Sequence, residues 1–327
     1  MKLTRRQALT ATAAALAIPH IARAAGPIVL RWGDVQPPTH PSPMSIERAA
    51  KEVKEKTAGR VEIQGFPSGQ LGGSRDMVEA VSSGAQSIVT EGAGIIGQFL
   101  PQVTIIEAPY IWRDAAHMAR ALASPVFDEL NKALIAKRDM RIVCSTYYGM
   151  RHLTSGKREV HSPADMVGFK LRVPEVDTYT AMAEAWGAKP TPMNFGELYL
   201  ALSQGAVDGQ ENPLPTIQAG KFAEVQKYLV LTGHIITPRL VMVSETAWQK
   251  IPTADRDIVA AAIKSASAWN DAEIARQEAL LADTFKAAGM TVITPDIDLF
   301  RKPVLATVPA KFEAKWGKGF WDRLQAL

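Results

Sequence analysis

The chain has 327 residues, of which 47% are hydrophobic and 21% charged, so a globular protein with two domains is expected. Four of its 37 basic residues (Lys2, Arg5, Arg6 and Arg23) precede residue 25, and removing them leaves 33 basic against 33 acidic residues. Such a near-neutral chain argues against nucleic acid or an anionic membrane as a partner, and the single cysteine, Cys144, excludes an intrachain disulfide.

Residues 1–24 have the pattern of a signal peptide of the twin-arginine (Tat) type. Paired arginines lie in residues 4–9, an apolar run covers residues 11–18, and Ala-Arg-Ala at residues 22–24 reads as a small-residue cleavage site. A membrane anchor is the alternative, but spanning a bilayer takes about 20 apolar residues and this run is shorter. The pattern therefore predicts an exported protein whose mature chain starts near Ala25 after cleavage and is soluble.

After this segment, short strands alternate with helices. The predicted strands cover residues 28–33, 61–65, 87–90, 140–145 and 169–173, and the predicted helices cover residues 42–57 and 74–83. Short strands separated by helices indicate an α/β protein whose sheets are mainly parallel.

Residues 253–288 do not fit a single compact domain. They contain neither glycine nor proline, Pro252 precedes them and Gly289 follows, which are helix start and stop signals. At about 1.5 Å per residue, one helix of this length would extend roughly 50 Å, more than the diameter of a small domain. Two shorter helices with a bend near residues 269–271 are the alternative, because most globular helices are shorter.

The stretch from Gly168 to Pro215 carries the clearest chemical signal. Arg172 lies at the end of a short apolar strand that Pro174 terminates, a turn is expected at the following prolines, and a polar Gly-Gln-Glu-Asn-Pro corner comes at residues 209–213. A guanidinium offers two parallel N–H donors that match the two oxygens of a carboxylate. We therefore expect Arg172 to hold a small organic acid, with a structural ion pair as the alternative.

Several co-linear motifs in the chain resemble the DctP-type solute-binding proteins of tripartite ATP-independent periplasmic (TRAP) transporters. They are SPAD at residues 162–165, GFKLRVP at 168–174, GAKPTPM at 187–193, DGQENP at 208–213, PSGQLG at 67–72, EAPY at 107–110 and KFAEVQKY at 221–228. The resemblance covers essentially the whole chain after the leader. It implies an α/β fold: a two-lobed clamp of the periplasmic-binding-protein type, with mixed sheets and a single long helix spanning both domains.

The resemblance also implies where the lobes divide. The chain should cross to the second lobe near Tyr148 and return near residues 237–239, and its tail should go back to the second lobe. The first lobe would then contain residues 25–148 with 239–277. The second lobe would contain residues 149–238 with 278–327.

Three polar residues are expected at the ligand by this resemblance. Arg172 corresponds to the carboxylate-binding arginine of the family, Arg151 to a second arginine that supports the bound acid, and Asn212 to a side chain that contacts the ligand. From the residues alone, Arg151 could be a surface arginine and Asn212, which precedes a proline, a turn former. Glu211 could hold either arginine in place.

Two further residues complete the predicted site. Phe195 is expected to cover the apolar part of the ligand, although core packing is common for any phenylalanine. Glu91 follows the apolar run at residues 88–90 and should top a strand at the interface between the lobes. If Glu91 points inwards, it favours a ligand that carries a hydrogen-bond donor.

The function implied is that of a periplasmic receptor. It would bind a small organic carboxylate between its lobes and deliver it to the membrane subunits of a TRAP transporter, as a monomer and without a cofactor or metal. The sequence holds no Gly-x-Ser-x-Gly, His-Glu-x-x-His, P-loop or paired-cysteine motif, so no enzyme activity is expected. An exported enzyme, or a receptor of the same fold that serves a sensor kinase, are the alternatives.

Overall fold

Nine strands form one sheet in the residues that the computed structural model describes, 26–327, and the predicted leader lies outside this range. The strands are β1 (Ile28–Gly33), β2 (Val61–Phe66), β3 (Ile88–Gly92), β4 (Met140–Ser155), β5 (Lys170–Val173), β6 (Lys189–Pro192), β7 (Gly209–Pro213), β8 (Tyr228–Ser244) and β9 (Thr291–Ile293). Their order is β2-β1-β3-β8-β4-β7-β5-β6, with β9 beside β8. The outer pairs are parallel and the central pairs antiparallel, so the predicted mixed character is confirmed.

Helices connect these strands and cover the sheet. They are α1 (Pro41–Lys56), α2 (Ser74–Ser82), α3 (Ala93–Ile96), α4 (Ala115–Leu122), α5 (Pro125–Arg138), α6 (Asp177–Ala185), α7 (Leu198–Ser203), α8 (Leu214–Ala219), α9 (Glu245–Lys250), α10 (Thr253–Ala287), α11 (Ile297–Trp316) and α12 (Phe320–Gln325). Short 3-10 segments at Pro101–Glu107 and Phe195–Glu197 follow α3 and precede α7. Among the described helices, none combines the length and apolarity needed to cross a membrane.

The long strands β4 and β8 join two halves of the sheet. We call β1, β2 and β3 with their helices the first half, and β5, β6 and β7 with theirs the second half. β3 pairs with residues 239–243 of β8, whereas β7 pairs with residues 151–155 of β4. Because β4 and β8 are antiparallel, these two attachments lie at opposite ends of the same two-stranded ribbon. Of the predicted crossings, Tyr148 and residues 237 and 238 lie between them, and residue 239 is the first residue of β8 paired with β3.

β4 is much longer than the strand predicted at residues 140–145. Its second part contains Gly149, a residue type that is depleted in strands, and several polar residues. Gly149 adopts φ +123°, and the pairing with β8 is irregular between Tyr147 and Gly149. Only a glycine takes this conformation without strain, so the strand can bulge there and continue to Ser155.

Two segments that the sequence predicts as turns are strands. Residues 209–213 form β7, which is buried along its whole length between β4 and β5. The prediction was wrong because neighbouring strands satisfy a backbone whose side chains are polar. Pro190 and Pro192 lie in β6, where they are tolerated because β6 is the edge strand of the sheet.

The long helix α10 is continuous over its 35 residues, so the alternative of two helices with a bend is wrong. Near its start, Val259 and Ile263 pack in a core with β1 and α1 of the first half. Near its end, Leu281 and Phe285 pack in a core with α7 and α8 of the second half. The helix therefore contributes to a hydrophobic core at each end, as the resemblance implies.

Two carboxylates of α10 hold the irregular part of β4. The backbone N–H of Tyr147 donates to Asp271 Oδ1 at 2.7 Å, and its hydroxyl donates to Glu278 Oε2 at 2.7 Å. The N–H of Met150 donates to Glu278 Oε1 at 2.5 Å. A Cβ at Gly149 would lie 2.8 Å from that oxygen, so this close approach requires glycine.

The C-terminal helices contact both halves. Trp186, the residue directly after α6, donates through Nε1 to the carbonyl of Phe300 at 2.9 Å. Trp316 Nε1 donates to Thr104 Oγ1 at 2.7 Å, and His117 Nε2 lies 2.9 Å from the carbonyl of Leu324. Residues 297–327 thus link helix α6 of the second half to α4 and the 3-10 segment of the first half. The lobe boundaries stay a prediction.

Candidate functional site

A cavity lies between the two halves, beside the crossing of β4 and β8. All five residues predicted from the sequence line it: Glu91, Arg151, Arg172, Phe195 and Asn212. The cavity volume open to the centres of water molecules is about 60 Å³. A space of this size suits a small ligand.

Arg172 presents one free edge of its guanidinium. The residue is 3% exposed, and both Nε and Nη2 donate to the carbonyl oxygen of Met193, at 3.0 Å and 2.6 Å. Within the described residues Nη1 has no hydrogen-bond partner. Burial lowers the pKa of Arg172 to about 10, an effect that Glu211 opposes and Arg151 reinforces. An anion at the free edge would supply the missing counter-charge.

Arg151 is held by an ion pair across two strands. Its Nε donates to Glu211 Oε2 at 2.5 Å and its Nη2 to Glu211 Oε1 at 2.9 Å. His234 Nε2 also lies 2.9 Å from Glu211 Oε2. Burial raises the pKa of Glu211, but Arg151 and His234 outweigh it and leave that pKa below its usual value. Glu211 thus holds Arg151 rather than Arg172, and the support of a ligand by Arg151 stays a prediction.

Asn212 belongs to β7, so its interpretation as a turn former is wrong. Its Oδ1 accepts from Arg151 Nη2 at 3.0 Å, and its Nδ2 donates to Gln210 Oε1 at 2.5 Å. Phe195 begins the 3-10 segment before α7, and its half-buried ring packs edge-on against Phe222 with the centroids 5.8 Å apart. Both residues line the cavity, and their contacts with a ligand stay predictions.

Glu91 ends in an oxygen without a partner. It lies in β3 and is 6% exposed, and its Oε1 accepts from the N–H of Gly92 at 2.8 Å. Its Oε2, together with Gln36 Oε1 and Thr237 Oγ1, is buried without a hydrogen bond in the described part of the chain. Buried polar atoms nearly always have partners, and these three residues line the same cavity. Burial raises the pKa of Glu91, and the charge of Arg239, the N–H of Gly92 and the nearby hydroxyl of Ser74 partly offset this.

Arg239 was not predicted as a site residue, although it lines the cavity from β8. Its Nη1 donates to both oxygens of Asp34, at 3.1 Å and 3.0 Å, its Nη2 donates to the carbonyl of Thr90, and its guanidinium lies 5.2 Å from the ring centroid of Tyr148. The signal available in the sequence was a single arginine inside the long apolar run of β8.

Glu107 was also missed, and it contacts both halves. Its Oε1 accepts from the hydroxyl of Tyr179 in α6 at 2.5 Å, and its Oε2 accepts from the N–H of Gly94 in α3 at 2.6 Å. Burial raises the pKa of Glu107 to about 7 despite these donors. The first half is in close contact with the second here, because a Cβ at Gly94 would lie 2.7 Å from Val176 Cγ1.

Two half-sheets joined by continuous strands, with a buried arginine and unpaired polar atoms between them, define a binding protein that encloses a small solute. The chain belongs to the bacterial extracellular solute-binding proteins of family 7, whose DctP model matches residues 32–315. The resemblance stated from the sequence motifs is therefore confirmed.

Named relatives support this assignment. The chain is 36% identical over 284 residues to a solute-binding protein of Verminephrobacter eiseniae, covering 86% of this chain and 84% of that protein. It is 35% identical over 283 residues to the sialic acid-binding periplasmic protein SiaP of Vibrio cholerae, covering 86% and 88%. A TRAP periplasmic solute-binding protein of Polaromonas, solved with D-erythronate, matches with a TM-score of 0.87 at 34% identity, covering 91% of this chain and 98% of that one. The family is extracytoplasmic and consists of solute-binding proteins rather than enzymes.

Proposed function

We propose that the protein is a periplasmic receptor that binds a small organic carboxylate between its halves and delivers it to TRAP membrane subunits. The observation that carries this proposal is the free guanidinium edge of Arg172, buried in a cavity between the halves. One carboxylate there would accept two parallel charge-assisted hydrogen bonds. Export by the twin-arginine route, a monomeric state and the two lobes drawn from the sequence belong to the same proposal.

The opposite side of the cavity narrows the ligand class. Glu91 Oε2 and Gln36 Oε1 can only accept hydrogen bonds, and Thr237 Oγ1 can donate or accept. A ligand that brings hydroxyl donors would satisfy these atoms while its carboxylate binds Arg172. We therefore propose a hydroxylated monocarboxylate, and the match to a relative solved with D-erythronate supports this class.

A panel of matched acids tests this function. Thermal unfolding would be followed with propionate, lactate, glycerate and D-erythronate, which carry successively more hydroxyls, and with sialic acid. Stabilisation should increase with hydroxyl number, and a ligand at a hundred times its Kd should add about 2.7 kcal/mol to the free energy of unfolding. If no carboxylic acid shifts the transition, the proposed function is wrong. If propionate equals the hydroxy acids, the role of Glu91 and Gln36 is wrong.

Closure should depend on the absence of a side chain at Gly94. In Gly94→Ala the added methyl would overlap Val176, whose branched side chain has little freedom to move. We expect affinity for the best acid of the panel to fall by about tenfold, a typical penalty for overpacking. Isothermal titration calorimetry gives the affinity. Small-angle scattering should show a larger radius of gyration for the liganded variant than for the liganded wild type.

Gly196→Ala is the matched control, because its methyl would meet no atom within 4 Å although Gly196 lies next to Phe195. Wild-type affinity is expected for this variant. Equal affinities for wild type and Gly94→Ala would contradict the close approach of the halves in the ligand-bound form.

A further inference from the structure

The charged groups around the cavity are unevenly paired. Arg151 forms a buried salt bridge with Glu211, and Arg239 forms one with Asp34, so each of these arginines already has its counter-charge. Arg172 has none within residues 26–327, and under the proposed function the ligand carboxylate provides it. A monoanionic ligand therefore completes the pairing of all three arginines that line the cavity.

Two buried carboxyl groups are then left over. Glu91 and Glu107 both line the cavity, are only 6% and 5% exposed, and form no salt bridge with any described residue. A buried carboxylate without a cationic partner is unfavourable, and such a group commonly takes up a proton instead. With an anionic ligand beside them, two ionised glutamates would make the closed cavity strongly negative.

Glu107 is the carboxyl group of the two that contacts both halves, so its burial is the one that closure changes. It is faced by Tyr179 from α6, by the N–H of Gly94 from α3, by the charge of Arg151 from β4 and by the charge of Glu91 from β3. Burial is the largest influence on its pKa, the Tyr179, Gly94 and Arg151 groups oppose it, and Glu91 adds to it. Tyr179 Oη can accept as well as donate, so the contact persists when Glu107 is neutral.

We propose that closure around a monoanionic acid is coupled to the uptake of a proton by Glu107, while Glu91 stays ionised and accepts a hydrogen bond from the ligand. The proton comes from solvent and ends on a carboxyl oxygen of Glu107, which loses its hydration when Tyr179 closes over it. A dianion would bring a further uncompensated charge, so the same pair selects against dicarboxylates. This inference rests on the proposed function.

The direction of the pH dependence follows from burial. In the structure, where Tyr179 of the second half covers it, the pKa of Glu107 is raised from 4.5 to about 7. A form with the halves in contact therefore binds a proton that an open form with a solvated Glu107 would release. Affinity should be constant above about pH 7. It should rise by up to about tenfold per pH unit as the pH falls below 7, and level off near the usual pKa of a glutamate.

Proton uptake can be counted directly. The full mature chain would be titrated calorimetrically near pH 6 with D-erythronate, or with lactate or glycerate if either stabilises the protein more. Parallel titrations use buffers of different ionisation enthalpy, and the slope of the observed enthalpy gives the protons bound. We expect an uptake close to one proton, and little or no stabilisation by succinate. Binding without proton uptake would overturn this inference and leave the proposed function intact, whereas no binding by any acid would overturn both.

Substitutions assign the proton. Glu107→Gln mimics the neutral acid, so it should remove the proton uptake and flatten the pH dependence while keeping affinity near the wild-type value at low pH. Glu175→Gln, an exposed carboxyl at the same cavity, should keep the full uptake. Uptake that survives in Glu107→Gln would show that another group takes the proton. If Glu107→Gln does not fold, Tyr179→Phe provides the second variant. Because the Tyr179 hydroxyl lowers the pKa of Glu107, its loss should keep the uptake near pH 6 and move the onset of the pH dependence above pH 7, and an unchanged onset would contradict the coupling.

Discussion

Arg172→Met should weaken ligand binding by at least about a hundredfold. Two charge-assisted hydrogen bonds to a carboxylate are at stake, each worth about 1.5–3 kcal/mol, and the methionine offers no donor. The unliganded protein should be no less stable than wild type, because burial already disfavours the charge of Arg172 and lowers its pKa to about 10. Calorimetric titration measures the affinity, and urea unfolding without ligand measures the stability.

The matched control is Lys170→Met, which removes a cation from an exposed position of the same strand. It should bind the acid as wild type does. Arg172→Lys should recover only part of the affinity, because an ammonium group cannot offer two parallel donors to a carboxylate. Wild-type affinity in Arg172→Met would contradict the assignment of the carboxylate to this edge.

Glu211→Gln should lower the free energy of unfolding by about 3–5 kcal/mol, which is typical when one partner of a buried ion pair is removed. Both oxygens of Glu211 face Arg151, and the two side chains are 0% and 5% exposed. The glutamine keeps the shape but leaves the cation of Arg151 without a counter-charge. Urea unfolding of the unliganded protein measures this effect.

Two comparisons decide whether burial of the ion pair causes the loss of stability in Glu211→Gln. Glu245→Gln breaks the partly exposed pair with Arg141 and should cost about 1 kcal/mol or less. Replacing Arg151 and Glu211 together by methionine and leucine should recover much of the loss, because neither charge of this pair is then left buried without its partner. A change below about 1 kcal/mol in Glu211→Gln would show that water or another group compensates Arg151.

Local patterns predicted the regular parts of the fold well. β1 covers the residues expected, and the absence of glycine and proline between Thr253 and Ala287 correctly indicated one helix once the resemblance was considered. Prediction failed where tertiary pairing overrides composition. Gly149 sits inside β4, and the polar residues of β7 are buried because neighbours in the sheet and Arg151 satisfy them.

For the site, too, residues with a local signal were predicted and residues defined by long-range contacts were missed. The five residues expected from the sequence line one cavity, because each lies on a strand or loop that reaches the boundary between the halves. Arg239 and Glu107 were missed because what makes them functional is distant in sequence. Arg239 pairs with Asp34 across 205 positions, and Glu107 meets Tyr179 across 72 positions. Contacts over such separations leave no periodic pattern, and the single arginine in the apolar run of β8 was the local sign available for Arg239.

The continuity of the chain between the halves has a thermodynamic consequence. Strands β4 and β8, helix α10 and the C-terminal helices all tie the two bodies together. Connections at several places restrict the sliding and twisting of one half against the other. A hinge rotation of the two halves is then the motion that costs the least free energy. Little orientational entropy is then lost when the protein shuts, so more of the contact energy with the solute is available as affinity.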